Sequence, residues 1–319
     1  MTAPTLPTAA DIGVAADRIA PYARRTPILR NDALDEMVGA QLFFKCENLQ
    51  HVGAFKFRGA CNAVFALDET RAQAGVATHS SGNHAAALAL AARLRGVHAT
   101  IVMPEDAPNV KKRAVAELGA EIVFCAPTQA AREAAVEQVI AASGATLVHP
   151  YNDFHVICGQ GTAARELLED FPNVDALVTP VGGGGLLSGT VTAATGHSGD
   201  VSVLGAEPAT ADDAFRSFQA NRLIELDAPP KTIADGLRTS LGPLTFDIIR
   251  SGVTDILRTD EDEIRAAMRL LWERLKIVVE PSGAVPLAAL LANPPSRFKR
   301  IGVIISGGNV DLDRLPWRD

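Results

Sequence analysis

From residue 76 onward the sequence alternates short apolar segments with longer helical ones, and this alternation restricts the folds open to the chain. The regular spacing is typical of a parallel sheet whose strands are joined by crossover helices. The first series predicts strands at Val76–His79, Ala99–Met103, Glu121–Phe124 and Thr146–His149, with helices after Ser80-Ser81-Gly82-Asn83 and over Asn109–Leu118 and Gln129–Ser143.

A second series of the same kind follows, and its helices are predicted over Gly161–Glu169, from Leu186, over Glu261–Lys276 and over Ser282–Leu291. Neither series is long enough for one large sheet, whereas 319 residues suit two domains. We therefore expect an α/β fold in which two parallel-sheet domains face each other across a cleft. Residues 1–72 and 150–319 are assigned to the larger domain and 73–149 to the smaller one. Strands of the larger domain are predicted at Gln41–Cys46, Ala176–Thr179, Val201–Ala206 and Ile301–Ile305, after an N-terminal helix over 9–20.

The charge and composition exclude several classes of partner. A net charge of −7, a pI near 5.5 and the lack of a basic run argue against nucleic acid as a ligand. No apolar run reaches the length that crosses a membrane, and the N-terminal segment does not read as a signal peptide. Four cysteines stand singly, which favours reduced thiols. We expect a cytoplasmic protein without a membrane partner.

Four consecutive glycines, Gly182 to Gly185, follow one predicted strand and precede a helix at Leu186. Bare backbone amides at a helix N-terminus bind anions well. A flexible turn is the alternative, but four glycines cost much chain entropy. A Walker loop is excluded because no Gly-Lys-Ser/Thr follows, and the G-x-G-x-x-G spacing of dinucleotide sites is absent. The loop is best suited to a single phosphate.

Lys56 lies in the apolar segment Ala54-Phe55-Lys56-Phe57, with glycines at 53 and 59. An enclosed ammonium loses hydration, so its pKa falls and the neutral amine can attack a carbonyl. A surface lysine on an amphipathic segment is the alternative. The segment by itself does not decide between them.

Two further segments, Ser80-Ser81-Gly82-Asn83-His84 and Ser306-Gly307-Gly308-Asn309, also follow predicted strands. The hydroxyls and amides of the first could hold a carboxylate, and one serine could also cap the helix. A phosphate cradle, a carboxylate cradle and an apolar-flanked lysine together indicate pyridoxal phosphate and an amino-acid substrate.

In the same order along the chain, these segments resemble the motifs of the fold type II pyridoxal-phosphate enzymes, whose fold is like that of the tryptophan synthase β subunit. The resemblance covers nearly the whole chain and is strongest to the serine racemase and serine/threonine dehydratase branch. It implies that Lys56 forms the Schiff base with the cofactor and acts as a base, and that Ser81 is the acid or base on the opposite face. The cofactor would also contact Phe55, Asn83, Gly182, Gly183, Gly184, Gly185, Leu186, Gly236 and Ser306, and the substrate Ser80, Ser81, Gly82, Asn83, His84, Arg132 and Thr239.

The segment from Glu207 to Asp213 resembles the divalent-metal loop of that branch. The resemblance implies that the carboxylates of Glu207 and Asp213 and the carbonyl of Ala211 ligate Mg²⁺, or Ca²⁺ or Mn²⁺, since hard cations prefer oxygen ligands. A solvated acidic loop is the alternative. The resemblance also implies a homodimer.

Several residues depart from the family pattern. Ala54 stands where serine is frequent, and Ala85-Ala86 where Gly-Gln is frequent, so activation by a nucleotide is in doubt. The turn Tyr151-Asn152-Asp153 also differs from the usual types. Nothing after Asp319 matches the allosteric domain of biosynthetic threonine dehydratases, which we expect to be absent.

The residues and the resemblance together predict an ammonia-lyase. It would abstract the Cα proton of a β-hydroxy amino acid, expel the hydroxyl and release a 2-oxo acid and ammonia. L-Threonine and L-serine are the leading substrates, and 3-hydroxyaspartate would be preferred if Arg132 faces the cleft. Serine racemisation is the main alternative. A β-replacement enzyme is disfavoured by the metal loop, and a silent sensor by the presence of both Lys56 and Ser81.

Overall fold

The computed structural model of the protein describes residues 5–226, 228–294 and 296–317 and contains two open sheets flanked by helices. In chain order the strands are β1 (Ile28–Leu29), β2 (Gln41–Cys46), β3 (Val76–His79), β4 (Ala99–Pro104), β5 (Glu121–Cys125), β6 (Thr146–Leu147), β7 (Ala176–Pro180), β8 (Ser202–Pro208), β9 (Asp255–Thr259) and β10 (Arg300–Ile305).

The larger sheet has the strand order β1-β2-β10-β7-β8-β9 and the smaller one β5-β4-β3-β6. All neighbouring strands are parallel except β1, which pairs antiparallel with β2 and covers the edge of the larger sheet. The predicted α/β fold with two parallel sheets is confirmed. Every strand of the smaller sheet lies within 73–149, and the division into two domains at those bounds stays a proposal.

Helices connect the strands and cover the sheets, and the interior strands β4, β7 and β10 are almost fully buried, as expected for a sheet covered on both faces. Within the described residues, no helix combines the length and apolar character that crossing a bilayer requires. The helices are α1 (Ala9–Ile19), α2 (Asp32–Val38), α3 (Lys56–Phe65), α4 (Glu69–Ala74), α5 (Asn83–Arg95), α6 (Asn109–Glu117), α7 (Gln129–Ser143), α8 (Phe154–Asp170), α9 (Gly185–Thr195), α10 (Asp213–Ala220), α11 (Pro243–Gly252), α12 (Glu261–Leu275) and α13 (Pro281–Ala292).

The helix predicted over Gly161–Glu169 begins seven residues earlier, at Phe154, so that part of the prediction is wrong. The Asp153 side chain accepts a hydrogen bond from the Val156 amide at 2.8 Å and caps α8. The glycines of this helix allow close helix packing. A Cβ at Gly159 would overlap the Arg58 carbonyl of α3, and one at Gly161 would lie 2.6 Å from the Gly189 carbonyl of α9.

The ends of the other predicted elements agree with the structure to within two residues. Strand β6, for example, stops at Leu147, two residues before the predicted end. The sequence reasoning missed β1, β9, α2, α4, α10 and α11 and did not predict that the lysine segment begins a helix, α3.

The carboxyl ends of the central strands of the larger sheet meet at one edge. Ile305 of β10 pairs with Cys46 of β2, and Pro180 of β7 pairs with Ala206 of β8. The segments that follow these strands therefore emerge side by side. They contain the lysine, the four glycines and the Ser306 loop, at the edge where ligands bind in open parallel sheets.

Candidate active site

Lys56 is the first residue of α3 and is half-buried. Its Nζ donates a hydrogen bond to the Pro150 carbonyl at 2.7 Å and lies 5.1 Å from the centre of the Phe55 ring. Burial lowers the pKa of Lys56 to about 8, and no carboxylate among the described residues forms an ion pair with it. Roughly a tenth of the amine is therefore neutral at pH 7, far more than for an ordinary lysine, and the neutral form is the nucleophile and base.

Two histidines flank the lysine and stay neutral. Burial and the nearby Lys56 lower the pKa of His84 to about 3, and burial, with His79 and Lys56 nearby, lowers the pKa of His149 to about 4. Nε2 of His84 lies 3.0 Å from the Val148 carbonyl, which accepts a hydrogen bond only from a protonated nitrogen. Neither ring carries a charge that would compete with the lysine.

The four glycines connect β7 to α9, and Gly184 has a left-handed backbone with a φ of +85°. Within the described residues, none of the backbone amides of 182–186 donates to an acceptor of the protein. These free amides at the start of a helix suit a phosphate. On the other side, a Cβ at Gly182 would lie 3.1 Å from the Gly236 carbonyl and 3.4 Å from Oγ1 of Thr239. The predicted residues Gly236 and Thr239 therefore lie beside the loop.

The loop that begins at Ser306 joins the lysine segment to the start of α5. The Phe55 amide donates to the Ser306 carbonyl at 3.0 Å. Nδ2 of Asn309 donates to the Val52 carbonyl at 2.7 Å and to Oδ1 of Asn83 at 2.9 Å. Phe55, Asn83 and Ser306, predicted as cofactor contacts, thus lie in one connected group.

Glu280 belongs to the same group, and the sequence reasoning missed it. The side chain is 3% exposed, and its carboxylate accepts from Nδ2 of Asn83 at 3.0 Å and from the Asn309 amide at 3.1 Å. Burial raises its pKa to about 7. An available signal was the run Glu280-Pro281-Ser282-Gly283, because a proline at the first position marks a helix start and leaves the preceding carboxyl at a helix N-terminus.

The Ser80 to His84 segment lies between β3 and α5. Oγ of Ser80 accepts from the Gly82 amide at 3.3 Å, so this serine forms a local turn rather than the predicted helix cap. The hydroxyl of Ser81 is half-buried and makes no hydrogen bond within the described part of the chain. It is free to contact a ligand.

Glu207 and Asp213 are fully buried at the carboxyl end of β8 and the start of α10. The Glu207 carboxylate accepts from the Ala214 and Phe215 amides at 3.1 and 2.9 Å, and Oδ2 of Asp213 accepts from the Leu241 amide at 3.1 Å. Oδ1 of Asp213 is buried and has no hydrogen-bond partner in the part of the chain that the structure describes. Burial raises the pKa of Asp213 to about 7 and that of Glu207 well above its usual range. Two buried carboxylates with an unpartnered oxygen fit a hard cation, and Ala211 lies buried in the turn between them.

Arg132 lies in the first turn of α7, and its Nε is buried without a hydrogen-bond partner. The alternative of an ion pair with Glu133 is not observed, because that carboxylate accepts from Nε2 of Gln129 at 2.7 Å. Within the described residues no ion pair of Arg132 occurs. Burial lowers the pKa of His79, to which the charge of Arg132 adds a smaller effect, and the His79 ring lies 6.0 Å from that of His149. Arg132 therefore lies within electrostatic range of His79.

Comparison with known proteins identifies the family of this chain. Residues 19–307 match the family described as pyridoxal-phosphate dependent enzyme. The chain belongs to that family. It is 52% identical over 313 residues to the β-hydroxyaspartate dehydratase of Paracoccus denitrificans, with 98% of this chain and 99% of that protein covered. It is 47% identical over 311 residues to the L-threo-3-hydroxyaspartate ammonia-lyase of Saccharomyces cerevisiae, with 97% and 95% covered. The crystal structure of the serine racemase of Dictyostelium discoideum has 48% sequence identity and a TM-score of 0.92, with 96% and 99% covered.

These findings confirm the expected family, its α/β fold and pyridoxal phosphate as the cofactor. The expectation of an ammonia-lyase enzyme of the dehydratase and racemase branch is also confirmed. The site fits the cofactor, because it offers free amides for a phosphate together with a half-buried lysine of lowered pKa.

Proposed function

We propose that the protein converts a β-hydroxy amino acid to a 2-oxo acid and ammonia, and that 3-hydroxyaspartate is its preferred substrate. The observation that carries this preference is Arg132, a guanidinium whose buried Nε has no hydrogen-bond partner and which forms no ion pair among the described residues. Two relatives named for hydroxyaspartate chemistry support it. Threonine and serine, the leading candidates from the sequence, become secondary substrates.

The preference follows from the cost of leaving a charge unpaired. A guanidinium binds a carboxylate with two parallel hydrogen bonds, each worth roughly 1.5–3 kcal/mol when charge-assisted. The second carboxylate of 3-hydroxyaspartate would satisfy Arg132, whereas the methyl group of threonine would not. His84 and Thr239 are proposed to contact the substrate as well, with Ser80, Ser81, Gly82 and Asn83 around its α-carboxylate.

The chain's own groups suit elimination. Pyridoxal phosphate, when bound, supplies the electron sink that makes a Cα proton removable. Lys56 is proposed to hold the cofactor covalently and to take that proton, since its lowered pKa favours the neutral amine. The Pro150 carbonyl, which accepts from Nζ at 2.7 Å, would stabilise the protonated form. Further cofactor contacts are proposed for Phe55, Asn83, Gly182, Gly183, Gly184, Gly185, Leu186, Gly236 and Ser306.

A divalent cation, Mg²⁺ or else Ca²⁺ or Mn²⁺, is proposed at Glu207, Asp213 and the Ala211 carbonyl. The unpartnered Oδ1 of Asp213 and the two mutually repelling carboxylates support it. The cation would compensate charges that are otherwise costly to bury. Asp213 also accepts from the Leu241 amide, and the Leu241 side chain lies against Gly184, so the cation would stabilise the glycine loop from behind.

Racemisation is a second candidate, favoured by the uncommitted hydroxyl of Ser81. A proton donor on the face opposite Lys56 would allow a proton to return to Cα with inverted configuration. Ser81→Ala should therefore abolish racemisation and the use of D-substrates, whereas elimination from L-substrates survives. Equal retention of D- and L-activity would contradict the role of Ser81.

The test of the substrate proposal compares kcat/KM for 3-hydroxyaspartate and threonine in the wild type and in Arg132→Ala. We expect a fall of about tenfold or more for the dicarboxylate alone. Arg113→Ala is the matched control, since Arg113 is exposed on the neighbouring helix α6. A parallel fall for both substrates, or no fall, would return threonine and serine to first place.

The expected homodimer, cytoplasmic location and lack of nucleic-acid partners stay predictions. Light scattering after size-exclusion chromatography tests the oligomeric state.

A further inference from the structure

Gln160 lies in α8 at the point where three helices meet, and its side chain is fully buried. A Cβ at Gly59 of α3 would lie 2.9 Å from Cγ of Gln160, and one at Gly185 of α9 would lie 2.5 Å from its Oε1. The carboxamide is therefore enclosed between the helix that begins at Lys56 and the helix that begins with the glycine loop.

Neither Oε1 nor Nε2 of Gln160 has a hydrogen-bond partner among the described residues. A buried amide without partners costs free energy that an apolar side chain of the same size would avoid. Close packing leaves little room for another protein partner, because Gly159 and Gly161 on either side already bring α8 against α3 and α9. Oε1 of the carboxamide lies beside Gly185, and the amides of 182–186 are also without acceptors among the described residues. A half-turn of the carboxamide exchanges Oε1 and Nε2, so the N–H donors can face the same side.

Gln160 differs from Thr245, another polar side chain packed against this loop. The Thr245 hydroxyl donates to the Gly183 carbonyl at 2.9 Å or to the Gly242 carbonyl at 3.0 Å, and it accepts from the Gly242 amide at 3.0 Å. Its hydrogen bonds are thus satisfied within the protein. The carboxamide of Gln160 has two N–H donors that are not committed.

We propose that Gln160 binds the phosphate of the cofactor, through a hydrogen bond from Nε2 that adds a side-chain donor to the backbone amides of the glycine loop. The phosphate brings acceptor oxygens next to an amide that lacks an acceptor, so one contact satisfies both groups. The same residue packs against Gly59, and a bound phosphate is therefore connected through Gln160 to the helix that carries Lys56. This inference rests on the proposed placement of the phosphate at residues 182–186.

The test uses Gln160→Met, which keeps the size of the side chain and removes both polar atoms. Apoenzyme is titrated with pyridoxal phosphate and with pyridoxal, which lacks the phosphate, and the binding is followed by absorbance. We expect the Kd for pyridoxal phosphate to rise tenfold or more and the Kd for pyridoxal to change less than twofold. The ³¹P resonance of the holoenzyme should also shift between wild type and variant. If the affinities for both ligands fall in parallel, or neither falls, Gln160 only fills space and the proposal is wrong.

Gln160→Glu provides a second test that does not depend on packing, because it keeps the shape and adds a titratable carboxyl. Its affinity for pyridoxal phosphate should fall as pH rises, since two anions then face each other, and its affinity for pyridoxal should follow that of the wild type. A pH dependence identical to that of the wild type for both ligands would overturn the proposal.

Leu186→Pro separates this inference from the placement of the phosphate. It removes one backbone N–H in the first turn of α9, where proline is tolerated. If Leu186→Pro weakens the binding of pyridoxal phosphate more than that of pyridoxal and Gln160→Met does not, the role of Gln160 is refuted while the placement of the phosphate stands. If Leu186→Pro changes the affinity for both ligands equally, the placement of the phosphate at residues 182–186 is refuted.

Discussion

The ring of Tyr151 lies against the backbone of Gly183, so close that a Cβ at position 183 would overlap the ring. The same residue supports Gly185, where a Cβ would lie 3.0 Å from Cα of Tyr151. Tyr151 follows Pro150, whose carbonyl accepts from Lys56. One short segment therefore contacts both the glycine loop and the lysine.

This contact predicts that the cost of a side chain at position 183 depends on the tyrosine. Gly183→Ala should lower the free energy of unfolding by roughly 1–3 kcal/mol, because the added methyl group has no space. Tyr151→Ala removes the ring. In that background Gly183→Ala should lower the free energy of unfolding by at least about 1 kcal/mol less than it does in the wild type, which is roughly the coupling energy of residues in contact. Urea unfolding of the four proteins measures this. Tyr151→Phe keeps the ring and should give no relief, and relief in that variant would contradict the contact.

The lowered pKa of Lys56 predicts how cofactor attachment depends on pH. Only the neutral amine attacks a carbonyl, and with a pKa of about 8 roughly a tenth of it is neutral at pH 7. The rate at which apoenzyme takes up pyridoxal phosphate should therefore rise with pH and level off above about 8. Stopped-flow absorbance measures the rate. A rise that continues toward pH 10, as for an ordinary lysine, would show that the amine is not enclosed.

Glu280 predicts a loss of stability with rising pH in the apoenzyme. Its pKa is about 7 in the folded protein and 4.5 as the ordinary value, so the folded state holds the proton more tightly. The contribution of protonated Glu280 to the free energy of unfolding is thus fully present below about pH 4.5 and is lost as the pH rises through 7. The change is roughly 3 kcal/mol, and it should vanish in Glu280→Gln. Urea unfolding between pH 4 and 8 compares the two proteins, and identical slopes would refute the raised pKa.

Because the carboxylates of Glu207 and Asp213 are buried together, Asp213→Asn should have opposite effects on the melting temperature with and without metal. Asp213→Asn removes a charge that is costly to bury, so it should raise the melting temperature in the presence of chelator. It should also abolish the stabilisation that Mg²⁺ or Ca²⁺ gives the wild type, which follows from binding to the folded state alone. Thermal unfolding with chelator and with metal measures both. If chelator leaves the wild type unchanged, this loop binds no cation.

The strands and loops of the fold could be predicted largely because their signals are local. Val76–His79 and Gln41–Cys46 are apolar runs next to turn residues, and the structure gives them the predicted bounds. Helix α8 was missed at its start because Gly159 and Gly161 weaken a helix in isolation. Only the neighbouring helices show why glycine is required there, and that packing is not visible in the sequence alone.

The candidate site was predicted where a residue type is unusual in its own context, as for Lys56 among apolar neighbours. Glu280 and Gln160 were missed because a single carboxyl or carboxamide is unremarkable along the chain. What distinguishes them is burial beside segments distant in the sequence: Glu280 contacts Asn83, 197 residues away, and Gln160 packs against Gly59 of another helix. Tertiary structure alone produces these contacts. Arg132 could be named only through the resemblance, and the structure adds that its Nε lacks a partner.

The chain leaves the larger sheet after Cys46 and returns to it only at Ala176, so the smaller sheet is inserted between two connections. The returning connection contains Pro150, the hydrogen-bond acceptor of Lys56. A motion of the smaller sheet that moved this connection relative to Lys56 would lengthen or shorten that hydrogen bond. The pKa of the lysine would then depend on the position of the smaller sheet, and a substrate that shifts this sheet on binding would alter the basicity of the amine.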